Sequence, residues 1–99
     1  FESNVSMCNS LITMYSRNGK LESSRKVFNS MKDRNMSSWN SMISSYTALG
    51  YVDDAMALLE DMERCGVKPD IVTWNSLLSG HAFKGLYKGT IEILKRMQI

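Results

Sequence analysis

The chain has 99 residues, of which 43% are hydrophobic, and its formal net charge is +2. This length fits one small domain, and the presence of only 6 Gly and 1 Pro argues against disorder and against a turn-rich β-sandwich. No apolar run approaches the roughly 18 residues that a membrane-spanning helix needs, so we expect no membrane contact.

Three segments of the chain align with one another when the sequence is searched for internal repeats. Each contains Asn-Ser followed by two apolar residues, and a Gly stands ten residues after the Asn. Agreement at so many anchored positions identifies a repeat. The aligned residues are Asn9 with Gly19, Asn40 with Gly50, and Asn75 with Gly85.

Each repeat predicts two helices. In the first repeat, Leu11, Ile12 and Tyr15 recur at one-turn spacing and form an apolar stripe. The following Gly is expected to end that helix, because Gly adopts the left-handed conformation without a Cβ penalty. Since one helical hairpin cannot bury its apolar face alone, the hairpins are expected to stack into an all-α solenoid. The second amphipathic stretches cover residues 21–31, 52–62 and 87–97.

The second repeat resembles a known family along its whole length. Its start at Met36-Ser37-Ser38-Trp39-Asn40 and its end at Gly66-Val67-Lys68-Pro69-Asp70 are similar to the 35-residue unit of the pentatricopeptide-repeat family. The fit to the tetratricopeptide pattern is poor. The resemblance divides the chain into the tail of a preceding long-type unit (1–4), a short unit (5–35), a standard unit (36–70) and a truncated third unit (71–99).

This order of units resembles the mixed long/short (PLS) subclass of plant organelles, whose members commonly specify sites of C-to-U RNA editing. The resemblance implies an α-solenoid of antiparallel helix-turn-helix units, wound as a right-handed superhelix, that binds single-stranded RNA at one base per unit. It also implies a plant organelle, with mitochondrion favoured over chloroplast and the transit peptide outside this chain, and organellar editing-factor proteins as partners. Both ends are expected to be cut from a longer protein, because residues 1–4 lack Met and residues 97–99 stop inside an apolar pattern.

The resemblance also assigns the residues that recognise bases. In this family one base is contacted by two side chains, one early on the first helix and one at the last position of the unit. Carried over by position, the pairs are Asn9 with Asn35, and Asn40 with Asp70, while Asn75 begins a third pair. An Asn amide offers a donor and an acceptor, so it can match the Watson–Crick edge of a pyrimidine. The family's pattern implies the order C, U, pyrimidine in the 5′ to 3′ direction.

Further contacts with RNA follow from the same resemblance. The second residue of each unit, which is Ser6, Ser37 or Val72 here, is implied to sandwich the bases. Two serines lessen the apolar contact and predict weaker binding by the first two units. Arg17, late on the first helix, is a candidate for contact with a phosphate, and a solvated surface position explains it equally well.

Several of these residues also have a purely structural interpretation. Asn is a preferred N-cap, so Asn9, Asn40 and Asn75 would then only cap the first helices. We favour base recognition, because Ser, Thr or Asp would serve equally well as caps and Asn stands at all three positions. Trp39 and Trp74 lie within the apolar register and are favoured as core residues over base-stacking platforms.

Residues that usually hold metals are few. Cys8 and Cys65 lie far apart, neither belongs to a CxxC pair, and His81 is the only histidine. The usual zinc ligand sets cannot be assembled from them, so no metal or other cofactor is expected. We expect both thiols to be reduced core residues and His81 to take part in helix packing.

The sequence carries no catalytic constellation. An editing deaminase needs an HxE and a CxxC motif to hold zinc and move protons, and the chain has neither. We therefore predict a binding segment and not an enzyme. The alternative function is a protein–protein interaction scaffold without base recognition, since solenoids commonly act in this way. Self-association through exposed end units is also expected where capping units are missing.

Overall fold

The computed structural model describes residues 4–83, 85 and 87–97. Consecutive helices pair as three hairpins, and the described residues contain no β-strand. The fold is the all-α helical-repeat solenoid predicted from the sequence. None of the described helices is long and apolar enough to cross a membrane. The helices are α1 (Val5–Arg17), α2 (Leu21–Ser30), α3 (Met36–Ala48), α4 (Val52–Arg64), α5 (Ile71–Phe83) and α6 (Tyr87–Met97).

Glycine closes the turn inside the hairpins, as predicted. Gly19 follows the C-cap of α1 with a φ of 74°, in the left-handed region. Its N–H donates to the Ser16 carbonyl at 3.1 Å, and the Lys20 N–H donates to the Tyr15 carbonyl at 2.8 Å. These bonds satisfy carbonyls that the end of an α-helix leaves free, and they turn the chain toward α2. Gly50 repeats the arrangement after α3, with a φ of 83°.

The first helices of the hairpins form one continuous layer, because α3 packs against both α1 and α5. The second helices form the other layer, in which α2 contacts α1 and α3, and α4 contacts α3 and α5. The apolar stripes of the two layers meet in one core that runs through all three hairpins. Its buried residues are Ile12, Phe28, Met31, Trp39, Met42, Ile43, Ala55, Leu58, Leu59, Met62, Leu77 and Ile93.

Small residues let the first helices approach closely. A Cβ at Gly80 of α5 would lie only 2.7 Å from the Thr47 Cβ of α3, so a larger residue would force a shift. Across the same interface, the hydroxyl oxygens of Ser44 and Ser76 lie 2.8 Å apart. The layer of first helices is therefore closely packed through Gly and hydroxyl side chains.

Trp39 and Trp74 belong to the core, as the sequence analysis favoured, and His81 takes part in helix packing. Trp39 is 3% exposed, and its ring meets Phe28 edge to face with the centroids 5.0 Å apart. Trp74 is partly buried and packs against the same core. His81 is buried, and its Nδ1 donates to the Leu77 carbonyl at 2.9 Å, so it takes part in helix packing as predicted.

One cysteine differs from the prediction. Both thiols are free, and Cys8 is partly buried against the core, whereas Cys65 is exposed. Cys65 is the C-cap of α4, and Gly66 after it has a φ of 82°. Because Cys65 is exposed at this helix end, the prediction that it is a core residue is wrong.

Truncating a core residue of α5 should destabilise the fold far more than truncating an exposed residue of the same helix. Leu77 is 0% exposed and Ile71 is 62% exposed. We expect Leu77→Ala to lower the free energy of unfolding by about 2–5 kcal/mol, because it leaves a cavity in the core. Ile71→Ala should change it by less than about 0.5 kcal/mol. Urea unfolding followed by circular dichroism measures both values, and equal losses would contradict the assigned core.

Candidate nucleic-acid interface

The three Asn residues predicted to recognise bases occupy equivalent places in their helices. Asn9, Asn40 and Asn75 are the fifth residues of α1, α3 and α5. The N-caps of α1 and α3 are instead Asn4 and Asn35, whose side chains accept the N–H of the third helical residue. Interpreting the three Asn residues as helix caps is therefore wrong, because capping takes place one turn earlier.

Asn9 and Asn35 are in direct contact at the first unit junction. Nδ2 of Asn9 donates to Oδ1 of Asn35 at 3.1 Å, and the same oxygen accepts the Ser38 N–H at 3.0 Å. The Ser38 hydroxyl donates to Oδ1 of Asn9 at 2.6 Å and accepts the Asn35 N–H at 3.2 Å. Side chains from two adjacent units therefore close one hydrogen-bonded ring, the first triad (Asn9, Asn35 and Ser38).

The second unit junction repeats this geometry. Nδ2 of Asn40 donates to Oδ1 of Asp70 at 3.1 Å, and the same oxygen accepts the Thr73 N–H at 3.0 Å. The Thr73 hydroxyl donates to Oδ1 of Asn40 at 2.5 Å and accepts the Asp70 N–H at 3.2 Å. These residues form the second triad (Asn40, Asp70 and Thr73). Both complete pairs that the sequence suggested are thus in contact.

The partners fix which end of each Asn amide lies inside its triad. The Asp70 carboxylate only accepts hydrogen bonds, so Nδ2 of Asn40 must lie toward it. Oδ1 of Asn35 is held by a backbone N–H, so Nδ2 of Asn9 must lie toward that oxygen. Each amide therefore uses one N–H inside the triad, and its second N–H has no partner among the described residues.

The two triads differ in the atom that the last residue of the unit leaves free. Asn35 engages Oδ1 and leaves Nδ2 without a partner in the described part of the chain, so it offers a donor. Asp70 engages Oδ1 with the Asn40 amide and the Thr73 N–H, and its Oδ2 accepts no hydrogen bond from a side chain of the described residues, so it offers an acceptor. Equivalent positions therefore carry opposite hydrogen-bonding character.

The pKa of the Asp70 carboxyl lies below its ordinary value of 3.8, so this group is ionised near neutral pH. The main cause is the hydrogen bond from the Thr73 backbone N–H, which stabilises the charged form. The Asn40 amide lowers the pKa further, while partial burial opposes both effects. Asp70 is thus an acceptor and not a donor under ordinary conditions.

Three open grooves follow one another along the layer of first helices. The first groove contains Asn9 and has a volume of 630 Å³, the second contains Asn40 with 700 Å³, and the third contains Asn75 with 520 Å³. Ser37 lines both the first and the second groove, and Val72 lines both the second and the third. The predicted sandwiching residues therefore lie between successive Asn residues.

The remaining predicted residues also lie in these grooves. Ser6 lines the first groove, and Arg17 lines the first and the second. Asn75 is exposed and has no hydrogen-bond partner among the described residues. Among the described lining residues, Arg17 and Asp70 are the only charged side chains. The charge of this surface is therefore low and mixed.

Ser38 and Thr73 were not predicted from the sequence as part of the site. A signal for them exists, because each stands three residues after the last residue of a unit, which is the spacing of a capping box. The structure contains that capping box at Asn35 and Ser38. The equivalent residue of the first unit is Met7, which has no hydroxyl group.

The depressed pKa of Asp70 predicts a pH-dependent stability. A carboxyl whose pKa is lower in the folded chain stabilises the fold above its unfolded value, and this contribution is lost as the pH falls through the folded value. We expect wild type to lose more unfolding free energy than Asp70→Asn as the pH falls from about 5 through 3.8 and below. Asn also caps helices, so the variant keeps α5. Urea unfolding at a series of pH values tests this, and parallel pH profiles would contradict it.

Family models and relatives match the whole solenoid. A PPR repeat model matches residues 6–36 and 72–99, and a PPR repeat family model matches residues 34–82. One pentatricopeptide repeat-containing protein of Arabidopsis thaliana is 38% identical over 95 residues, which are 96% of this chain and 14% of the relative. Another, the pentatricopeptide repeat-containing protein CRR2, chloroplastic, is 42% identical over 96 residues, which are 97% of this chain and 15% of the relative.

The chain spans about one seventh of the length of these relatives. The crystal structure of the pentatricopeptide repeat protein PPR10 from maize superposes with a TM-score of 0.86 at 26% identity, covering 98% of this chain and 14% of that one. PPR10 in complex with an 18-nt psaJ RNA element gives a TM-score of 0.86 at 24% identity, covering 98% and 15%. With its repeat units matched by the family models and its fold shared with PPR10, the chain belongs to the pentatricopeptide-repeat family.

Proposed function

We propose that this chain is a sequence-selective segment of a single-stranded RNA-binding protein, with one base recognised per unit. The observation that carries the proposal is the triad, which recurs at two unit junctions and leaves a different free atom at each. Family membership supports the proposal, as does the maize PPR10 structure, which was determined in complex with an RNA element. The three grooves supply one opening for each Asn.

The first triad matches cytosine. Asn9 and Asn35 each have an unused amide N–H, so this junction presents two donors. The Watson–Crick edge of cytosine carries two adjacent acceptors, O2 and N3, whereas uracil has a donor at N3. Two donors therefore satisfy cytosine and oppose the N3–H of uracil.

The second triad matches uracil. Asn40 has an unused N–H, and the ionised carboxylate of Asp70 has an oxygen with no side-chain partner among the described residues. A donor beside an acceptor complements a uracil carbonyl beside its N3–H. Cytosine would bring its N3 lone pair against the carboxylate, which costs the bond and adds repulsion. In the third unit Asn75 contributes the same donor, which favours a pyrimidine.

Contacts with the faces of the bases are unequal along the chain. Val72 is 49% exposed where the second and third grooves meet, so it offers an apolar surface on which a base can pack. Ser6 and Ser37 hold the corresponding places in the first groove and between the first and second grooves. The sequence alone predicted weaker binding by both of the first two units. Because Val72 also lines the second groove, we now expect the second and third bases to be held more tightly than the first.

The division into a long-type tail (1–4), a short unit (5–35), a standard unit (36–70) and a third unit (71–99) extends the proposal to the mixed long/short subclass. The whole protein would then specify C-to-U editing sites in a plant organelle, together with editing-factor proteins. The helix starts at Val5, Met36 and Ile71 support this division, and one relative is named chloroplastic. Sequencing of organellar transcripts from a plant that lacks the whole protein tests this extension.

Exchanging the last residues of the two units should exchange the two bases. The double variant Asn35→Asp/Asp70→Asn keeps the net charge of +2, so phosphate attraction is unchanged. The affinities are compared for four short RNAs that differ only in their central dinucleotide, which is CU, UC, CC or UU. Wild type should prefer CU and the double variant should prefer UC. Each preference should be about tenfold, because one base contact discriminates by about 1–3 kcal/mol. Fluorescence anisotropy at low salt measures the affinities.

The single variants complete this design. Asp70→Asn should prefer CC and Asn35→Asp should prefer UU, because each changes one junction. The alternative function, a protein interaction scaffold, predicts no change of base preference in any variant. An identical rank order of the four RNAs for wild type and the double variant would contradict base recognition at the triads.

Arg17 should contribute affinity and no base preference. It is the basic residue that lines the first and second grooves. We expect Arg17→Ala to weaken binding to all four RNAs by about threefold to tenfold and to reduce the salt dependence by about one phosphate contact. Arg64→Ala is the matched control, because Arg64 is 72% exposed on α4 and lines none of the three grooves. Equal losses in both variants would contradict a phosphate contact at Arg17.

A further inference from the structure

We infer that Ser38 and Thr73 are positioning residues for base selection, a role that rests on the proposed function. Both side chains are completely buried, so neither hydroxyl can touch a base. Each acts instead through the Asn of the preceding unit, by holding the oxygen end of its amide. The residue that selects a base in one unit is thus oriented by the third helical residue of the next unit.

The single hydroxyl proton of Thr73 can be assigned from its neighbours. Oγ1 lies 2.5 Å from Oδ1 of Asn40 and 3.0 Å from Oδ1 of Asp70. The Asp70 oxygen already accepts two N–H groups, from Asn40 and from the Thr73 backbone. The proton therefore goes to the Asn40 oxygen, at the shorter distance.

The first triad gives the same assignment. The Ser38 hydroxyl oxygen lies 2.6 Å from Oδ1 of Asn9 and 3.0 Å from Oδ1 of Asn35. Oδ1 of Asn35 likewise accepts two N–H groups already. Ser and Thr thus place the same proton on the same amide oxygen.

This proton restricts the torsion that a single contact would leave free. The terminal torsion of Asn is broad, so one hydrogen bond at Nδ2 allows the amide plane to swing. A second bond at Oδ1, on the other end of the amide, fixes the plane. The remaining N–H of Asn40 then points in one direction, and a fixed donor discriminates between base edges better than a mobile one.

Helix capping alone does not account for these hydroxyl groups. In the first unit the equivalent residue is Met7, and α1 still begins with Asn4 accepting the Met7 N–H at 3.1 Å. A hydroxyl at this position is therefore not needed for the cap. At the two unit junctions inside this chain the hydroxyl contacts the amide oxygen of Asn9 or Asn40 in addition to its place in the cap.

Removing the hydroxyl at one junction should lower selectivity at that base alone. Thr73→Val keeps the side-chain shape and removes the proton, and Thr73→Ser restores it. With the four RNAs described above, we expect Thr73→Val to reduce the preference for U over C at the second base by about tenfold, which corresponds to about 1.4 kcal/mol. Thr73→Ser should keep the preference, and the preference for C at the first base should stay unchanged in both variants.

Ser38→Ala provides the reciprocal test at the first base, where selectivity for C should fall while that for U at the second base is kept. Side-chain amide NMR of the free protein gives a readout that needs no RNA. In Ser38→Ala the Nδ2 protons of Asn9 should exchange faster with solvent, while those of Asn40 are unaffected. This readout also decides the question if circular dichroism shows that Thr73→Val is unfolded.

The outcomes separate this inference from the proposed function. No preference among the four RNAs by wild type would overturn the proposed function and the inference with it. A clear wild-type preference that survives intact in Thr73→Val would overturn the inference alone. A uniform loss of affinity for all RNAs, or unchanged Asn9 amide exchange in Ser38→Ala, would show a merely structural role and overturn it as well.

Discussion

One side-chain oxygen at the end of each complete unit holds two parts of the structure together. Oδ1 of Asn35 accepts the Ser38 N–H that begins α3 and the Asn9 amide from the preceding first helix. Oδ1 of Asp70 likewise accepts the Thr73 N–H at the start of α5 and the Asn40 amide from α3. Helix capping restricts this position to a few short polar residues, of which Asn and Asp are among the best. The choice between them keeps the helix cap and changes the charge and the hydrogen-bonding character of the side-chain atom that remains free.

The layer of first helices supplies a well-ordered support for these triads. Its hydroxyl groups find acceptors within the layer, since Ser45 donates to the Ser41 carbonyl at 2.7 Å and Thr47 donates to the Ser44 carbonyl at 3.1 Å. No buried side-chain polar atom in the described residues lacks a hydrogen-bond partner. Small polar residues therefore let the helices approach closely at no cost in unsatisfied groups. A site built on such helices is held more precisely than one built on loops.

Whether a feature could be predicted from the sequence depends on how far apart in the chain its interacting residues lie. Helix ends at Gly19 and Gly50 depend on local backbone preference, so the repeat spacing was enough to locate them. The Thr73 hydroxyl meets Asn40 across 33 residues, and that contact depends on how two neighbouring first helices are rotated. No local pattern encodes such a rotation, and the pairs proposed to recognise bases were themselves suggested by family resemblance. Cys65 was placed wrongly because the residue type alone did not show that it caps the exposed end of α4.

Low charge in the grooves has a consequence for how such a protein gains affinity. Arg17 and Asp70 oppose each other in sign among the described lining residues, so a single unit gains little from neutralising phosphates. Under the proposed function, each unit then contributes mainly hydrogen bonds to a base edge. These hydrogen bonds discriminate between bases and add little to the affinity for RNA. Affinity must accumulate by adding units to one chain, because each bound base holds the next at a high effective concentration. Relatives about seven times longer than this chain fit that requirement, since their additional length can supply the further units.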